Sequence, residues 1–244
     1  MPLVHFHQRC HQRVYRDDWI EKSVPSKSLR HFFRNRLDAG AKLAEEVAKR
    51  NFHDPYVLAI PRGGVPVGFG VALKVRAPLD VIIPRKLPIP DNPEAGFGAI
   101  TSDGNIVLNE EMLPNLALSE EEIERIAKRV LEEVRRRMRE YRGERPEPNL
   151  EGKTVLLVDD GLASGYTMIA AAQEVKAQRP AKVVVAVPVS PRSSVEKVSP
   201  HVDQVIALIV SERPYFAVAD FYDDFRDLSD DEVREFLERS RKES

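Results

Sequence analysis

Residues 155–167 read VLLVDDGLASGYT, and most of what the sequence predicts can be built outward from them. Four consecutive apolar residues are typical of a strand that is buried on both faces of a parallel sheet. Two acids follow, and a loop with two glycines then leads into a helical pattern at residues 167–177. A strand, a polar turn and a helix in this order predict an α/β fold with ligands at the carboxyl end of the strand.

The same alternation recurs on both sides of this stretch. The strand-like segments are residues 56–61, 79–84, 154–158, 182–189 and 202–210. Helical patterns separate them, and a first helix begins at about residue 34. The residues expected on the buried face of that helix are Leu37, Ala41, Leu43, Ala44, Val47 and Ala48. We therefore predict a doubly wound parallel sheet of about five strands with helices on both faces.

An insertion separates the second and third strands. Residues 86–94 contain three prolines and no periodicity, which predicts a long loop. Residues 97–101 and 106–109 flank the sequence SDGN, which predicts a β-hairpin. A long helix then begins at Ser119. The arginines at positions 135, 136, 137 and 139 lie in its last turns, where we expect a solvated helix end rather than an RNA contact.

Composition bounds the class of protein. The chain has 244 residues with 37 basic and 39 acidic side chains, a balance that argues against a general nucleic-acid binder. Its single cysteine, Cys10, excludes an internal disulfide and suits a reducing compartment. Neither a membrane-spanning apolar run nor a secretory signal pattern is present. We therefore expect a cytoplasmic protein that binds neither nucleic acid nor membranes.

The pattern predicts three parts of the chain. Residues 1–33 lack periodicity and form an N-terminal extension. The extension contains His5, His7, Cys10 and His11, whose spacing matches no closed metal site. Residues 34–212 form the core, with a lid loop and hairpin at about 86–109. Residues 213–244 form a small hood segment and a C-terminal helix.

The chemistry is expected where the strand of residues 154–158 ends. Asp159 and Asp160 can accept hydrogen bonds from two neighbouring hydroxyls, such as those of a ribose. The loop after them offers backbone N–H groups, the hydroxyls of Ser164 and Thr167, and a helix N-terminus, which together suit a phosphate. A sugar phosphate such as ribose 5-phosphate fits both halves. Two alternatives are a helix N-cap with a solvent-facing neighbour, and a receiver-type aspartate pocket.

Residues 159–167 resemble the phosphoribosyl pyrophosphate loop of the type I phosphoribosyltransferases, whose strand rhythm is matched over roughly residues 34–228. Together with PRGGVP at 61–66 and RK at 85–86, the chain is similar to a bacterial and archaeal subfamily of predicted phosphoribosyltransferases. Gly161 departs from the aliphatic residue that is common at its position, and we expect it to be tolerated. The resemblance implies that ribose 5-phosphate is bound by Asp159, Asp160, Ala163, Ser164, Gly165, Tyr166 and Thr167.

The resemblance also implies roles for residues outside this loop. The pyrophosphate would be bound by Arg62, Gly63, Gly64, Arg85, Lys86 and Arg226. The catalytic set would be Asp159, Asp160, Arg85 and Lys86. Mg²⁺ would be held mainly through the ligand, with Asp160 and Asp220 nearby. Tyr215, Phe216 and Phe221 are candidates for stacking on a base, the alternative being a polar turn with these rings packed inward.

The implied activity joins a nitrogenous base to phosphoribosyl pyrophosphate and releases pyrophosphate, as part of nucleotide metabolism and in a homodimer. Ala163 stands where hypoxanthine–guanine enzymes carry an acid, and residues 188–192 lack the lysine that those enzymes use. Alanine at this position is closer to adenine-type loops, which favours a purine-type base. The alternative is a non-catalytic module that senses phosphoribosyl pyrophosphate or a nucleotide and regulates a partner.

Overall fold

The computed structural model describes residues 32–90, 92–104, 106–109 and 112–243, with the backbone alone for 92–95. The predicted N-terminal extension, including His5, His7, Cys10 and His11, therefore lies almost wholly outside the described residues. The elements in chain order are α1 (Arg36–Ala48), β1 (Pro55–Ala59), α2 (Gly64–Val75), β2 (Leu79–Val81), β3 (Arg85–Ile89), β4 (Asn92–Ile100), β5 (Ile106–Leu108), α3 (Glu120–Arg142), β6 (Thr154–Val158), α4 (Tyr166–Ala177), β7 (Lys182–Pro191), α5 (Arg192–Val198), β8 (Gln204–Ser211) and α6 (Asp230–Glu243).

Five parallel strands form the main sheet in the order β2-β1-β6-β7-β8, which confirms the predicted architecture. The register places Ala59 of β1 opposite Val158 of β6. From these two neighbours the chain leaves in opposite directions, through α2 to β2 and through α4 to β7. The carboxyl ends of β1 and β6 therefore border the crevice at which doubly wound sheets bind their ligands.

Helices cover both faces of this sheet, as predicted. Val57 and Ala59 of β1 lie in one core cluster, together with buried residues of α1, α2, α3 and α6. Leu58 and Ile60 lie in a second cluster with α4 and α5. The alternation follows from the two-residue period of a strand, which sends successive side chains to opposite faces. Apolar residues therefore occupy both sides of each central strand.

A second, antiparallel sheet contains β3, β4 and β5. The predicted hairpin is confirmed, because Ile100 pairs with Ile106 across the turn. The prediction of a loop over residues 86–94 is wrong for most of this segment, because residues 86–89 belong to β3 and residues 92–94 belong to β4, which pairs with it. The register shifts on both sides of Pro88. An edge strand tolerates proline because one side of it needs no N–H donor, so three prolines did not exclude a strand here.

The C-terminal segment packs beside the start of α1. The backbone N–H groups of Phe32 and Phe33 each donate to the carbonyl of Phe221 at 3.0 Å. The ring of Tyr222 is buried against Phe33, with 5.2 Å between the ring centroids. Residues 213–228 are therefore attached to the first described residues of the chain. Across the described ranges, no helix has the length and apolarity that a membrane crossing requires.

Candidate active site

Two loops meet at the crevice between β1 and β6. The arginine–glycine loop (residues 61–64) follows β1, and the paired carboxylates of Asp159 and Asp160 follow β6. A Cβ atom on Gly63 would lie 1.9 Å from Oδ2 of Asp160, a distance that no real Cβ contact tolerates. Glycine is therefore required at position 63 for the two loops to touch. The Pro61–Arg62 peptide bond in this loop is cis.

The two carboxylates have different partners. Oδ1 of Asp159 accepts a hydrogen bond from the backbone N–H of Asp160 at 2.8 Å. Oδ2 of Asp160 accepts one from Nε of Arg36 at 2.7 Å. The N-cap position of α4 is occupied by Gly165, which makes no side-chain cap. The alternative that these aspartates cap the helix is therefore wrong.

Burial sets the electrostatics of the pair. Burial raises the pKa of Asp159 well above its ordinary value, and the adjacent charge of Asp160 raises it further. Burial also raises the pKa of Asp160, while the guanidinium of Arg36 opposes that shift. The hydroxyl of Tyr222 donates to the backbone carbonyl of Asp160 at 2.6 Å, which ties the C-terminal segment to the same residue.

Arg36 is a site residue that the sequence reasoning missed. Besides Asp160, its guanidinium binds the carbonyl of Arg226 through Nη1 at 2.8 Å and lies 3.9 Å from the ring centroid of Phe225. Arg36 shares the buried face of α1 with Ala39, Gly40 and Leu43. The sequence did contain a signal for this role, because Arg36 lies at helical spacing from the small residues Ala39 and Gly40. The predicted buried face is wrong in part, because Leu43, Ala44 and Val47 are buried but Leu37 is 44% exposed.

The serine–glycine loop (residues 161–167) is held in place by its neighbours. The backbone N–H of Leu162 donates to the carbonyl of Val189 at 2.9 Å, and the hydroxyl of Ser194 donates to the carbonyl of Ala163. A Cβ on Gly161 would lie 2.6 Å from Cγ1 of Val218. Val218 thus fills the space that an aliphatic side chain at position 161 would need.

Donors of the serine–glycine loop lack acceptors. Gly165 has a φ of +83° and leads directly into α4, whose first intrahelical bond runs from Ile169 to Gly165. Within the described ranges, the hydroxyls of Ser164 and Thr167 and the backbone N–H groups of residues 164–167 have no hydrogen-bond acceptor. Free N–H groups at a helix N-terminus, next to two free hydroxyls, form a site for an anion.

The other predicted pyrophosphate residues are distributed unevenly. Arg62 is half-buried, and no carboxylate of the described residues pairs with it. Arg85 instead binds Glu133 of α3, at 3.1 Å between Nη2 and Oε2, and Lys86 is an exposed residue of β3. The guanidinium of Arg226 pairs with Glu232. The structure thus brings Gly63 and Gly64 to the aspartates, whereas Arg85 and Arg226 pair with glutamates.

The hood residues also divide into two groups. Tyr215 is 89% exposed, whereas Phe221 is 1% exposed and stacks between Phe32 and Phe216. Phe221 has no free ring face, so the alternative that these rings pack inward is correct for Phe221. Tyr215 and the half-buried Phe216 remain candidates for stacking on a base. Asp220 is exposed and makes no contact with Asp159 or Asp160 among the described residues.

The donor set fits a magnesium ion that is held mainly by a bound ligand. Among the described residues, no three His, Cys, Asp or Glu side chains converge on one point. Mg²⁺ commonly keeps several waters and binds through one or two carboxylates and the phosphates of a substrate. Asp159 and Asp160 supply carboxylate oxygens of this kind next to the free donors of the serine–glycine loop.

Comparisons with known proteins agree with this geometry. Residues 32–226 match the model of the phosphoribosyl transferase domain. The curated protein "Putative phosphoribosyl transferase Rv0571c" of Mycobacterium tuberculosis H37Rv is 40% identical over 211 residues, which are 86% of this chain and 47% of that protein. The same values hold for its counterpart MT0597 in strain CDC 1551, so the chain spans about half the length of the curated relatives it matches.

A solved structure is similar over a larger share of its own length. The crystal structure of TT1426 from Thermus thermophilus is 40% identical, with a TM-score of 0.71, and the match covers 84% of this chain and 97% of that one. The family model spans both loops and the hood, which are the parts that form the site described above. The chain belongs to the phosphoribosyltransferase family.

Proposed function

We propose that this chain is a phosphoribosyltransferase that joins a nitrogenous base to phosphoribosyl pyrophosphate and releases pyrophosphate. The observation that carries the proposal is the contact of Gly63 with Asp160, beside a loop whose hydroxyls and N–H groups have no acceptor. A diol binder, a phosphate binder and a glycine loop then border one crevice. That combination suits an activated ribose phosphate better than a free phosphate or a free sugar.

Each part of the substrate has a proposed partner. The carboxylates of Asp159 and Asp160 accept hydrogen bonds from the ribose hydroxyls. Ser164, Thr167 and the N–H groups at the start of α4 bind the 5-phosphate. The pyrophosphate lies against Arg62 and the backbone of Gly63 and Gly64, where the N-terminus of α2 adds positive potential.

Arg85, Lys86 and Arg226 join the pyrophosphate group only by moving. Arg85 would have to leave Glu133, and Arg226 would have to leave Glu232. Both present partners are exposed ion pairs, which are worth about 0–1 kcal/mol, so a pyrophosphate dianion can compete with them. We therefore propose that these three residues bind pyrophosphate once they have moved toward it.

The reaction needs electrostatic stabilisation rather than a nucleophilic side chain. The bond from C1 of the ribose to the pyrophosphate oxygen breaks, and a bond from C1 to a ring nitrogen of the base forms. Arg62 and the loop N–H groups stabilise the charge that develops on the leaving pyrophosphate. When bound, Mg²⁺ neutralises the pyrophosphate oxygens, and Asp160 and Asp220 are its proposed protein neighbours. The proton of the base passes to solvent or to pyrophosphate, since Ala163 cannot accept it.

The accepting base is proposed from the same residues. Ala163 favours a purine-type base, and the exposed ring of Tyr215 with the half-buried ring of Phe216 offers it a stacking surface. We propose further that the protein acts in the cytoplasm as a homodimer, with the hairpin of β4 and β5 as a contact. Ile106 on that hairpin is a large apolar side chain that is 40% exposed.

The decisive experiment measures magnesium-dependent release of pyrophosphate from phosphoribosyl pyrophosphate with a panel of purine and pyrimidine bases. The Asp159→Asn/Asp160→Asn variant should lose release by roughly a thousandfold or more, in line with removal of charges used in the transition state. The exposed pair Glu144→Gln/Glu151→Gln removes the same charge and should leave release unchanged. If phosphoribosyl pyrophosphate binds but no base causes release of pyrophosphate, the result would favour the sensing module. If phosphoribosyl pyrophosphate does not bind, the result would reject the site.

A further inference from the structure

A second concave surface lies near β2, an edge strand of the parallel sheet. It is a cleft of about 310 Å³ between the end of α3, the connection from α3 to β6 and the turn that joins β4 to β5. Its lining includes Ser102, Arg135, Arg139, Arg142, Arg145 and Glu147. Glu147 precedes β6, and the adjoining cavity reaches Gln178 at the end of α4. None of the residues that line the cleft belongs to the loops that follow β1 and β6.

Two of the four arginines, Arg142 and Arg145, are held in place at the floor of the cleft. Nε of Arg142 binds Oδ2 of the buried Asp80 at 3.0 Å, and its Nη2 donates to the carbonyl of Pro146 at 2.7 Å. Arg145 lies 4.0 Å from the same carboxylate and donates from Nε to the carbonyl of Arg142 at 2.7 Å. One carboxylate thus serves two guanidinium groups. The floor of the cleft therefore keeps a net positive charge.

The other two arginines are available to a ligand. Arg135 and Arg139 are exposed, lie one helical turn apart and pair with no carboxylate of the described residues. Arg136 on the same helix behaves differently, because it binds Glu140 at 3.0 Å. Side chains at positions i and i+4 of a helix are neighbours, so the two free guanidinium groups lie side by side at the cleft.

The acidic lining limits the size of the ligand. Asp103 and Glu147 border the cleft, and Asp103 accepts a hydrogen bond from the hydroxyl of Thr101. An extended polyanion such as RNA would have to pass these carboxylates. A compact ligand can lie between the arginines and avoid them. The charge pattern therefore favours a small molecule with closely spaced phosphoryl groups.

We infer that this cleft is a binding site for a compact diphosphate or a similarly phosphorylated small molecule. Arg135 and Arg139 hold this ligand above the floor that Arg142 and Arg145 form. Guanidinium groups bind phosphoryl oxygens through paired, charge-assisted hydrogen bonds. Four of them around one cleft supply more donors than one phosphoryl group can use. This matches a ligand with two phosphoryl groups. The site is distinct from the one proposed for phosphoribosyl pyrophosphate.

Calorimetric titration of the full chain with inorganic pyrophosphate, without magnesium, tests the inference. The Arg135→Gln/Arg139→Gln variant should bind one equivalent fewer than the wild type, or bind that equivalent roughly a hundredfold more weakly. The control is Arg125→Gln/Arg129→Gln, which removes two exposed arginines with the same spacing from the same helix. The control should match the wild type within about twofold, as distant exposed charges are screened.

The count of equivalents separates this inference from the proposed function. If the proposed active site also binds pyrophosphate, the wild type takes up two equivalents and the cleft variant one. If it does not, the wild type takes up one and the cleft variant none. Equal stoichiometry and affinity in the wild type and the cleft variant would overturn the inference. An equal loss in the control would overturn it too, because it would show diffuse attraction to the helix.

Discussion

Arg36 donates from Nε to Oδ2 of Asp160 at 2.7 Å, although the two residues are 124 positions apart in the chain. Both side chains are largely buried, with exposed fractions of 10% and 15%. The same guanidinium binds the carbonyl of Arg226 and stacks on Phe225. One side chain at the start of α1 therefore connects the candidate ribose-binding carboxylate to the C-terminal segment.

Replacement of Arg36 should change the pH dependence of the site. Burial already raises the pKa of Asp160, and Arg36 opposes that rise, so Arg36→Gln should raise the pKa further. The carboxylate would then be protonated over a wider range on the acidic side. We expect the acidic limb of pyrophosphate release to move to higher pH, and affinity for phosphoribosyl pyrophosphate to fall by roughly tenfold to a hundredfold.

Two further variants show whether the charge of Arg36 causes this effect. Arg36→Lys keeps the charge and should restore most of the pH profile, while it loses the planar contact with Phe225. Arg34→Gln removes an exposed arginine from the same helix start and should leave the profile unchanged. An acidic limb that stays in place in Arg36→Gln would show that Arg36 only packs the segment.

Gly63→Ala tests the contact between the two loops. The new methyl group would lie 1.9 Å from Oδ2 and 2.6 Å from Cγ of Asp160, so the carboxylate must move. We expect a loss of substrate affinity of at least about tenfold and a cost of about 1–3 kcal/mol in the free energy of unfolding. Titration calorimetry and thermal unfolding measure the two effects separately.

Gly152→Ala is the control for this variant. Gly152 has a φ of +72° with nothing within 4 Å of the position that a methyl group would take, so alanine there meets only backbone strain. We expect it to cost about 1 kcal/mol in stability and to leave binding unchanged. Unchanged affinity in Gly63→Ala would contradict the close approach of the loops.

The sequence was sufficient for those features that depend on local pattern. Apolar runs predicted all five parallel strands, and the long helix begins after Ser119 as predicted, where Ser119 and Glu122 form a capping box. The position of Asp159 and Asp160 at the carboxyl end of β6 followed from the apolar run that precedes them. A short pattern determines each of these features, so no distant contact had to be known.

Features that depend on distant contacts could not be predicted. Arg36 binds Asp160 only because the start of α1 lies beside the loop that follows β6 and beside the C-terminal segment, a juxtaposition that no periodicity encodes. The prolines of residues 86–94 suggested a loop, whereas most of this segment belongs to the paired strands β3 and β4. Arg85 binds Glu133 for a similar reason, since β3 packs against α3.

Removing one partner of the buried pair of Asp80 and Arg142 should lower stability strongly. Their side chains are 6% and 7% exposed, with 3.0 Å between Oδ2 and Nε. Asp80→Asn leaves a buried guanidinium without its charge partner, which should cost about 3–5 kcal/mol. For a domain of this size we expect the melting temperature to fall by roughly 10 °C.

The exposed pair of Lys74 and Glu45 is the matched control for Asp80→Asn. These side chains are 45% and 62% exposed, at 2.7 Å between Nζ and Oε1. Glu45→Gln should lower stability by less than about 1 kcal/mol, because solvent screens the pair. Similar losses of unfolding free energy in Asp80→Asn and Glu45→Gln would show that burial does not make the Asp80 pair more important than an exposed pair.

Glu174 should make stability depend on pH between about 4.5 and 7. Burial raises its pKa from 4.5 to about 7, although the hydroxyl of Ser102 donates to it and opposes the shift. Asp103 and Glu147 face it and add negative potential. In this range the folded state holds a proton that the unfolded state has released, so the free energy of unfolding falls as the pH rises.

Glu174→Gln removes this ionisation and keeps the size and an acceptor for Ser102. The variant should match the wild type at pH 5 and exceed it in stability by about 1–3 kcal/mol at pH 8, since only the wild type must ionise a buried carboxyl. Denaturant unfolding at several pH values measures the difference, in which the other titrating groups cancel. The exposed Glu151→Gln should show no such divergence. A constant difference across the range would mean that Glu174 is ionised at little cost, through water or a cation in the cavity beside it.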